Sequence, residues 1–294
     1  MFPPNCNLMN EVTLRVPATS ANFGPGFDCL GVALEVHNDI TIRVGAGAEM
    51  PPMVAEAAQH FFSAARLDHF EFECFVEGEV PQSRGLGSSV TVRLGVLAGL
   101  NEITGAGFGV EKLFQLCAEL EGHPDNAAPA AFGGFTVAHG DAVARFEVLP
   151  ELSFALVVPD YEVTTEEARR LLPEAVGHGE AVASASNVAR IVAAFASGDY
   201  ELLRGAFVDY LHQPYRHQLV PNLYEIIQAG EDAGALGGYL SGSGSAICCV
   251  TLKNAEDVAE AMLRAAGGGP AYALVAQVDN NGVGIVEKSA DLAH

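Results

Sequence analysis

Residues 81–89 read Pro-Gln-Ser-Arg-Gly-Leu-Gly-Ser-Ser, and residues 90–100 read Val-Thr-Val-Arg-Leu-Gly-Val-Leu-Ala-Gly-Leu. The first part is typical of a glycine-containing loop, and the second of an apolar helix that runs into a turn region over residues 101–109. Gly85 and Gly87 permit the positive φ angles and close approach of a loop that aims backbone N–H groups at one point. The positive end of the helix dipole lies at that same point. The stretch predicts a phosphate-binding loop, unless it is an ordinary capped helix after a turn.

Two serines begin the predicted helix. Ser88 and Ser89 suit its N-cap, and their hydroxyls could also contact a Mg²⁺ that is bound to phosphate. The loop is not a Walker loop, because no Gly-Lys-Ser/Thr sequence is present. The whole chain has only three lysines, Lys112, Lys253 and Lys288. Any bound polyphosphate must therefore be neutralised by backbone amides, a metal ion and arginines.

The composition is that of a globular protein. The chain has 294 residues, of which 49% are hydrophobic and 18% are charged, so one or two domains with a large core are expected. The formal net charge of −22 argues against a nucleic-acid surface or an anionic membrane as partner. A solvated acidic surface that aids solubility explains this charge.

The chain lacks the sequence signals of export and membrane insertion. No run of about 20 apolar residues predicts a membrane-spanning helix. Residues 1–6, Met-Phe-Pro-Pro-Asn-Cys, lack the basic and apolar regions of a signal peptide. The cysteines form no C-x-x-C pair and no metal-ligand spacing, so we expect reduced thiols in a cytoplasmic protein. The cysteines are Cys6, Cys29, Cys74, Cys117, Cys248 and Cys249.

Strands and helices are mixed along the chain, as judged by apolar periodicity. The predicted strands cover residues 11–16, 37–44, 70–76, 135–138, 144–149, 152–159, 246–252 and, as the final strand, 272–278. The predicted helices cover residues 53–67, 90–100, 110–121, 164–172, 181–196, 200–210, 223–233 and 256–266. We expect turns or loops at residues 45–52, 213–221 and 241–245. A boundary at residues 150 and 151 predicts two domains, 1–150 and 151–294.

At two further places the local sequence does not settle the role of the polar side chains. Asn22 and Asp28 lie in the small, glycine-rich segment 17–34, where they could point at a ligand or serve only as turn residues, and the local sequence favours the turn. Glu119 and Glu121 lie near the end of the helix predicted over residues 110–121, where carboxylates oppose the helix dipole. A local cation such as Mg²⁺ would explain the glutamates, but so would simple exposure to solvent.

Three motifs in this order and spacing resemble the GHMP small-molecule kinases. They are Pro17-Ala-Thr-Ser-Ala-Asn-Phe-Gly-Pro-Gly-Phe-Asp28, Gly85-Leu-Gly-Ser-Ser89 and Ser241-Gly-Ser-Gly244. Within that family the chain is most similar to the homoserine kinases. The discriminating features are Asn22 with Asp28, the segment Glu121-Gly-His-Pro-Asp-Asn-Ala-Ala-Pro-Ala130, and Pro214-Tyr-Arg216.

This resemblance covers nearly the whole chain and implies an α+β fold. Its two-domain GHMP kinase architecture has a ribosomal-protein-S5-like N-terminal domain with the phosphate loop, and a ferredoxin-like C-terminal domain. The active site would lie between the domains. The implied reaction uses ATP, with Mg²⁺, to phosphorylate the side-chain hydroxyl of L-homoserine, giving O-phospho-L-homoserine on the way to threonine. A homodimer is common in the family.

The resemblance also assigns residues. Those implied to bind ATP are Pro81, Arg84, Gly85, Leu86, Gly87, Ser88 and Ser89. Ser89 and Glu119 would hold the metal, with Glu121 as the alternative because the chain is short before residues 123–126. Those implied to surround the amino acid are Asn22, Asp28, His123, Asp125, Asn126, Thr165, Arg169 and Arg216. The catalytic residues would be Asn22, Asp28, Asp125, Asn126 and Arg169.

These residue types suit an amino-acid substrate. Arg169 and Arg216 can bind a carboxylate, and Asp28 can accept hydrogen bonds from an ammonium group. The family offers no obvious general base, so we expect catalysis by positioning and charge neutralisation, with Asp125 as the candidate base. A kinase for another small alcohol, such as mevalonate or a sugar, and a non-catalytic sensor are the alternatives.

The chain departs from the family pattern at two places. Ser245 stands where the last motif usually has proline, and Val90-Thr91-Val92 stands where several alanines are usual. Thr91 and Val92 are β-branched, so they lower helix propensity slightly. Neither departure removes a charged or metal-binding group. They affect the expected rigidity of the loop and its affinity for nucleotide more than the type of reaction.

Overall fold

The computed structural model describes residues 9–45 and 50–290, and within them it has ten strands and nine α-helices. The strands are β1 (Met9–Ala21), β2 (Leu30–Val44), β3 (Phe72–Gly78), β4 (Phe135–His139), β5 (Ala142–Phe146), β6 (Ser153–Pro159), β7 (Gly237–Leu240), β8 (Ile247–Thr251), β9 (Ala271–Ala276) and β10 (Gly284–Ala290). The helices are α1 (Pro52–Ala65), α2 (Ser88–Thr104), α3 (Val110–Glu121), α4 (Ala127–Phe132), α5 (Thr165–Arg170), α6 (His178–Ser197), α7 (Gln213–Arg216), α8 (Leu223–Asp232) and α9 (Ala255–Ala265).

The first sheet is antiparallel, with strand order β10-β1-β2-β4-β5 and with β3 paired to the second half of β2. Strand β2 alternates buried and partly exposed side chains over its second half, as a sheet with one covered face requires. Helices α1, α2 and α3 cover that face. The apolar side chains that they bury there include Ile40, Ile42, Phe61, Leu94 and Phe114. This packing holds the N-terminus of α2 near the end of the sheet.

The second sheet has the strand order β7-β8-β6-β9, with every pairing antiparallel. In chain order its elements run strand, helices, two strands, helix, strand, which is the ferredoxin-like arrangement. Helices α8 and α9 pack on one face of it. Both sheets therefore agree with the α+β architecture that the family resemblance implies. The division at residues 150 and 151 stays a prediction.

A third group of buried side chains lies between the two sheets, and Phe23 is central to it. The Phe23 ring stacks on Tyr239 at 4.6 Å between centroids and meets the edge of Phe135 at 5.2 Å. Its backbone has a φ of 47°, which costs a bulky residue about 1–2 kcal/mol. Full burial of the ring offsets that cost by about 2–3 kcal/mol. The buried ring of Phe23 thus holds the strained turn after β1 in place.

Most predicted elements are confirmed, but three predictions are wrong. Strand β1 does not end at Pro17, because a register shift between Pro17 and Ala18 lets it continue to Ala21. The helix predicted over residues 200–210 is only a 3₁₀ turn (Tyr200–Leu203), after which Gly205 adopts a φ of 68°. Residues 272–278 do not form the final strand, because β10 follows and pairs with β1.

Smaller differences concern helix ends and residues that the structure does not describe. Helix α2 is capped by Gly87 in the left-handed conformation, so Ser88 and Ser89 are its first two residues and not its cap. Residues 213–221, expected as a loop, include the short helix α7. Residues 46–49 of the predicted turn and Cys6 lie outside the described residues. Within residues 9–45 and 50–290, no helix combines the length and the apolar character needed to cross a bilayer.

Candidate active site

The phosphate-type loop is held in shape by contacts that only glycine allows. Gly85 and Gly87 have φ angles of 75° and 69°, as the sequence predicts for such a loop. A Cβ added to Gly85 would lie 2.1 Å from the carbonyl oxygen of Ser241. A Cβ added to Gly87 would lie 2.0 Å from Oγ1 of Thr19. Any larger residue at either position must therefore displace the loop or its neighbour.

Backbone hydrogen bonds tie this loop to both halves of the chain. The N–H of Thr19 on β1 donates to the carbonyl of Leu86, and the N–H of Ala246 donates to the carbonyl of Arg84. The hydroxyl of Ser241 donates to the carbonyl of Gly85 at 2.7 Å. The second glycine-rich turn therefore serves as a support for the first, and this explains why the two motifs occur together.

The departure at Ser245 strengthens this support. Its hydroxyl donates to the carbonyl oxygen of Tyr161 at 2.7 Å and lies 3.2 Å from that of Pro159. Both carbonyls lie at or just after the end of β6, so Ser245 ties the second glycine turn to the second sheet. A proline at this position has no hydroxyl and could not make these contacts.

A cavity of about 620 Å³ opens beside the loop and α2. It is lined by every residue that the family resemblance assigns to the amino acid and by most of the phosphate loop. Those lining residues are Asn22, Asp28, His123, Asp125, Asn126, Thr165, Arg169, Arg216, Gly85, Gly87, Ser88 and Ser89. The amino-acid set comes from four separate parts of the sequence on either side of the loop, and the fold brings them to one place.

Three of the loop residues expected to bind ATP do not line this cavity. Leu86 is buried in the core between the sheets. Arg84 turns away, since its guanidinium donates to Asp160 at 3.0 Å and lies 3.7 Å from a carboxylate oxygen of Glu162. Arg84 and Pro81 line a second, shallower hollow behind the loop. The side chains of these three residues lie outside the cavity, and their assignment to ATP binding stays a prediction.

Sequence reasoning missed the apolar end of the cavity. It is formed by side chains from the start of α1, from β3 and its following turn, and from α2. They are Pro51, Met53, Val54, Val76, Val80 and Val92. Asn38 lies beside them and is held by two hydrogen bonds, because its amide donates to Thr91 Oγ1 and its carbonyl accepts from the N–H of Val80. The β-branched Thr91 thus has a specific partner in the sheet.

The carboxylate that meets Ser89 belongs to Glu121. The Ser89 hydroxyl donates to Oε2 of Glu121 at 3.0 Å, while Arg93 donates to Oε1 of the same carboxylate at 2.7 Å. Burial tends to lower the pKa of Arg93, but the contacts with Glu121 and Glu56 outweigh it and raise that pKa. Arg93 is thus a permanent cation beside Glu121. Its positive charge offsets the unfavourable interaction of this carboxylate with the dipole at the C-terminus of α3.

The expectation that Glu119 joins Ser89 is contradicted by this geometry. The Glu119 carboxylate contacts His60 Nε2 at 2.6 Å, is 55% exposed, and does not line the cavity. Two residues apart on a helix means about 200° of rotation, so Glu119 and Glu121 point to different sides. The side chain of Glu121 is only 9% exposed.

The turn after β1 presents Asp28 to the cavity. Asn22 and Asp28 both have left-handed backbones, with φ angles of 75° and 57°. The side-chain Oδ1 of Asn22 accepts from the backbone N–H of Asp28 at 3.0 Å, and its Nδ2 donates to the backbone carbonyl of Gly242 at 2.9 Å. The Asp28 carboxylate then accepts two hydrogen bonds from Arg169 on α5. Asn22 is therefore a turn residue that also lines the cavity, and its contact with a ligand stays a prediction.

Helix α5 begins with a capping box. The Thr164 side chain accepts from the N–H of Glu167, and the Glu167 carboxylate accepts from the N–H of Thr164. This cap sets the start of a helix of only six residues. It thereby fixes Thr165 and Arg169, one turn apart, on the side that faces the cavity.

His123, Asp125 and Asn126 form a second polar group, before α4. Oδ1 of Asp125 contacts Nδ1 of His123 at 2.7 Å and accepts from the backbone and side-chain N–H groups of Asn126. Burial tends to lower the pKa of His123, but the hydrogen bond and charge of Asp125 outweigh it, so the net shift is upward. Oδ atoms of Asp28 and Asp125 and a ring nitrogen of His123 lie within 4.8 Å of one another.

Arg216 is a buried cation in the cavity wall, with 2% of its surface exposed. It donates to the carbonyls of Ala168 and Gly242 at 3.3 and 3.1 Å, and contacts Nδ1 of His212 at 3.5 Å. All three partners are neutral acceptors. Within the described part of the chain, no carboxylate lies at ion-pair distance from Arg216. Burial lowers the pKa of Arg216 to about 10, so it remains charged at neutral pH.

An aromatic ring and a buried histidine, neither predicted from the sequence, hold the two arginines. The guanidinium carbons of Arg169 and Arg216 lie 5.4 and 4.9 Å from the centroid of Phe27. The His212 ring stacks on Phe27 with 5.2 Å between the centroids, and its Nε2 contacts the carbonyl of Gly24 at 2.7 Å. Cation–π contacts of this kind suit arginines in a partly desolvated site.

Comparisons with known proteins agree with this geometry. Residues 52–134 match the GHMP kinases N terminal domain, and residues 191–269 match the GHMP kinases C terminal model. The homoserine kinase of Clostridium beijerinckii is 41% identical over 255 residues, covering 81% of this chain and 86% of that relative. That of Desulfitobacterium hafniense is 36% identical over 296 residues, covering 94% and 100%. The crystal structure of homoserine kinase from Cytophaga hutchinsonii has a TM-score of 0.87 at 25% identity, covering 97% and 100%.

Proposed function

The chain belongs to the homoserine kinases of the GHMP family, and we propose how the residues of its cavity carry out the reaction of that family. In that reaction ATP phosphorylates the side-chain hydroxyl of L-homoserine and gives O-phospho-L-homoserine, an intermediate of threonine biosynthesis. One observation carries the proposal. The glycine loop and a set of charged side chains suited to an amino acid line the same cavity.

In this proposal the phosphates of ATP lie against the loop at Gly85 and Gly87 and the N-terminus of α2. The backbone N–H groups there and the dipole of a 17-residue helix favour negative charge. The adenine base of ATP lies in the apolar end of the cavity, which is formed by Pro51, Met53, Val54, Val76, Val80 and Val92. This division leaves few cationic side chains near the phosphates, in keeping with the low lysine content.

Ser89 and Glu121 have the chemistry of a Mg²⁺ site. They offer a hydroxyl and a carboxylate oxygen 3.0 Å apart in the cavity wall, and Mg²⁺ commonly takes one or two protein oxygens together with waters and phosphate oxygens. A bound Mg²⁺ would supply positive charge for the transferring phosphoryl group. The protein holds Ser89 at the second residue of α2 and Glu121 at the last residue of α3, so two rigid helices fix the spacing.

The amino acid would lie among Asn22, Asp28, Thr165, Arg169 and Arg216. Arg216 supports this most strongly, because its buried charge has only neutral partners and can take the carboxylate of the substrate. Asp28 supplies the matching acceptor for an ammonium group. Phe27 covers both guanidinium groups on one side, which excludes water and strengthens their attraction for a carboxylate.

Catalysis in this proposal rests on positioning. The loop holds the γ-phosphate and the charged set holds the substrate, so the hydroxyl attacks in line from a fixed distance. Asp125 and Asn126 lie close to the loop, since the Asn126 carbonyl accepts from Thr19 Oγ1 at 2.7 Å and Thr19 packs against Gly87. Within the described residues, the hydrogen bonds of Asp125 all involve Oδ1, so Oδ2 is available to the hydroxyl of the substrate.

Release of ADP from ATP and Mg²⁺ with L-homoserine tests the proposal. Mevalonate, galactose, L-serine and no acceptor are run in parallel. We expect turnover with L-homoserine and little with the other acceptors. Turnover on another alcohol would overturn the substrate assignment, and binding of ATP without any turnover would favour a sensor.

Three parts of the proposal concern the location and the partners of the protein. A cytoplasmic location is supported by five free cysteines among the described residues, since reduced thiols are typical of that compartment. The absence of a membrane or nucleic-acid partner is supported by the net charge of −22. A homodimer is proposed from the family alone, and sedimentation equilibrium would test it.

A further inference from the structure

Arg93 is a charged side chain beside the Ser89–Glu121 pair that neither the sequence motifs nor the proposed reaction uses. It lies four residues after Ser89 on α2, and therefore one helical turn below it on the same face. Its side chain is 16% exposed and does not line the cavity. It therefore contacts Glu121 from outside the cavity.

The two oxygens of the Glu121 carboxylate have different partners. Oε1 accepts from Arg93 Nη1 at 2.7 Å, and Oε2 accepts from the Ser89 hydroxyl at 3.0 Å. Because one oxygen is held by a planar guanidinium, rotation of the carboxylate is restricted. Oε2 is thereby kept toward Ser89 and the cavity.

The position of Arg93 is specified by these ionic contacts. Its Nη2 donates to Glu56 at 2.9 Å, but its Nε is buried and has no hydrogen-bond partner within the described residues. An unsatisfied buried donor is costly, so the bonds at the other two nitrogens must outweigh that cost. Glu56 is 55% exposed and is the weaker, screened partner. Glu121, at 9% exposure, is the partner that matters.

Resting on the metal site proposed above, we propose that Arg93 is a positioning residue that makes this site dependent on the nucleotide. The positive charge of Arg93 cancels the negative charge of Glu121, so the empty pair has little attraction for a divalent cation. Phosphate oxygens of ATP add the negative charge that is missing. A divalent cation therefore binds together with ATP and only weakly on its own, while Arg93 keeps Oε2 aimed at the cation.

The test is binding of Mn²⁺, followed by the EPR signal of the free ion, with and without a non-hydrolysable ATP analogue. Without nucleotide we expect weak binding to the wild-type protein and binding at least about tenfold tighter to Arg93→Met, because one nearby positive charge is removed. Arg93→Lys keeps the charge, so its affinity without nucleotide should stay low. Glu56→Gln is the matched control and should behave like the wild type.

Turnover supplies a second readout. We expect Arg93→Met and Arg93→Lys to lower kcat about tenfold, because Oε2 is no longer oriented, with the KM for homoserine nearly unchanged. The double variant Arg93→Met/Glu121→Gln should lose the gain in Mn²⁺ affinity. An unchanged Mn²⁺ affinity in Arg93→Met, or an equal gain in Arg93→Lys, would overturn the proposal.

The metal measurement separates this proposal from the proposed function. Binding of Mn²⁺ does not require homoserine, so absence of homoserine turnover in the wild type would overturn the function and leave the Mn²⁺ comparison intact. Thermal denaturation of each variant shows whether it folds. Arg93→Lys keeps a cation beside Glu121 and serves as the test of kcat if Arg93→Met does not fold.

Discussion

The carboxylate of Asp28 accepts two hydrogen bonds from the guanidinium of Arg169, at 3.0 and 2.7 Å. Both side chains are about one-third exposed, at 34% and 36%, so solvent screens the pair and it contributes little to stability. An amino acid carries the same two charges in reversed roles. Its ammonium can replace Arg169 at Asp28, and its carboxylate can then take Arg169 together with Arg216. In the proposed complex, the substrate therefore replaces the contact between Asp28 and Arg169.

Removing one charge from the substrate tests this exchange. 3-Aminopropan-1-ol lacks the carboxylate of homoserine, and 4-hydroxybutanoate lacks its ammonium. We expect kcat/KM for either compound to be roughly 100-fold or more below that for homoserine, since each leaves a charged group of the site unpaired. Asp28→Asn should lower kcat/KM for homoserine about tenfold or more and hardly affect 4-hydroxybutanoate. Equal losses on both compounds would contradict the role of Asp28.

Ser89→Ala and Glu121→Gln should lower kcat roughly 100-fold, because each removes one of two protein oxygens from the proposed metal site. Raising the Mg²⁺ concentration should restore part of the activity. Glu119→Gln is the control, since it lies on the same helix but contacts His60, and we expect less than about twofold change. Steady-state rates over a range of Mg²⁺ concentrations would measure this. The assignment fails if Glu119→Gln is the more damaging change.

Gly87→Ala should raise the KM for ATP about tenfold or more, because the new Cβ meets Thr19 Oγ1 at 2.0 Å and displaces the loop. Gly107→Ala is matched to it. Gly107 has a similar φ of 74°, yet no atom lies within 4 Å of an added Cβ. Both variants should lose about 1–2 kcal/mol of stability from the backbone strain alone. Only Gly87→Ala should lose nucleotide affinity, and isothermal titration with ATP would show it.

The free energy of unfolding should fall in mild acid because of His212. Burial lowers the pKa of this histidine from 6.5 to about 4, although the charge of Asp209 opposes the shift. Between these two values the unfolded chain binds a proton that the folded chain does not. Stability is therefore present above pH 6.5 and is lost as the pH falls toward 4, by at most about 1.4 kcal/mol per pH unit.

Urea denaturation between pH 7 and pH 4.5 would measure that slope. His212→Gln is the control, because its amide can still donate to the carbonyl of Gly24 but does not titrate. We expect a smaller slope in this variant. If both proteins show the same slope, other groups account for the acid sensitivity.

Asp125→Asn distinguishes positioning from proton removal. If catalysis rests on positioning, kcat should fall less than about 100-fold, because the amide can still hold Asn126. A fall of about 10³-fold or more, with the KM values for ATP and homoserine nearly unchanged, would identify Asp125 as the general base. Steady-state kinetics of the variant decide between these results.

Sequence periodicity predicted most of the fold, because a strand or helix with one covered face repeats its apolar residues at a fixed spacing. It failed at residues 200–210. Tyr200, Leu203 and Phe207 are all buried, as a helix would require, yet Gly205 turns the chain after one turn. Strand β10 was missed because its side chains at Ile285 and Val286 are exposed and give no alternation that marks a covered face.

The candidate site could be predicted where a sequence motif places its residues. It could not be predicted where the direction of a side chain depends on contacts with another element. Glu119 and Glu121 lie on different sides of α3. The sequence alone does not show that Glu119 contacts His60 on α1 and that Glu121 contacts Ser89. Phe27 gave no signal, since an aromatic residue beside glycines is usually part of a core. The position of Arg93 could be predicted in part, because its spacing of four from Ser89 places both residues on one face of α2. Its contact with Glu121 could not, because Glu121 lies on another helix.

Strand β10 is the edge strand of the first sheet beside β1, and it is translated after every strand of the second sheet. While a nascent chain is still emerging from the ribosome, the outer edge of β1 has no partner along residues 9–15. An open edge of this kind is a template for pairing with other chains. Strand β1 therefore gains this neighbour only after every other described strand has been made. Premature termination before residue 284 would leave a protein with an intact second sheet and an aggregation-prone first one.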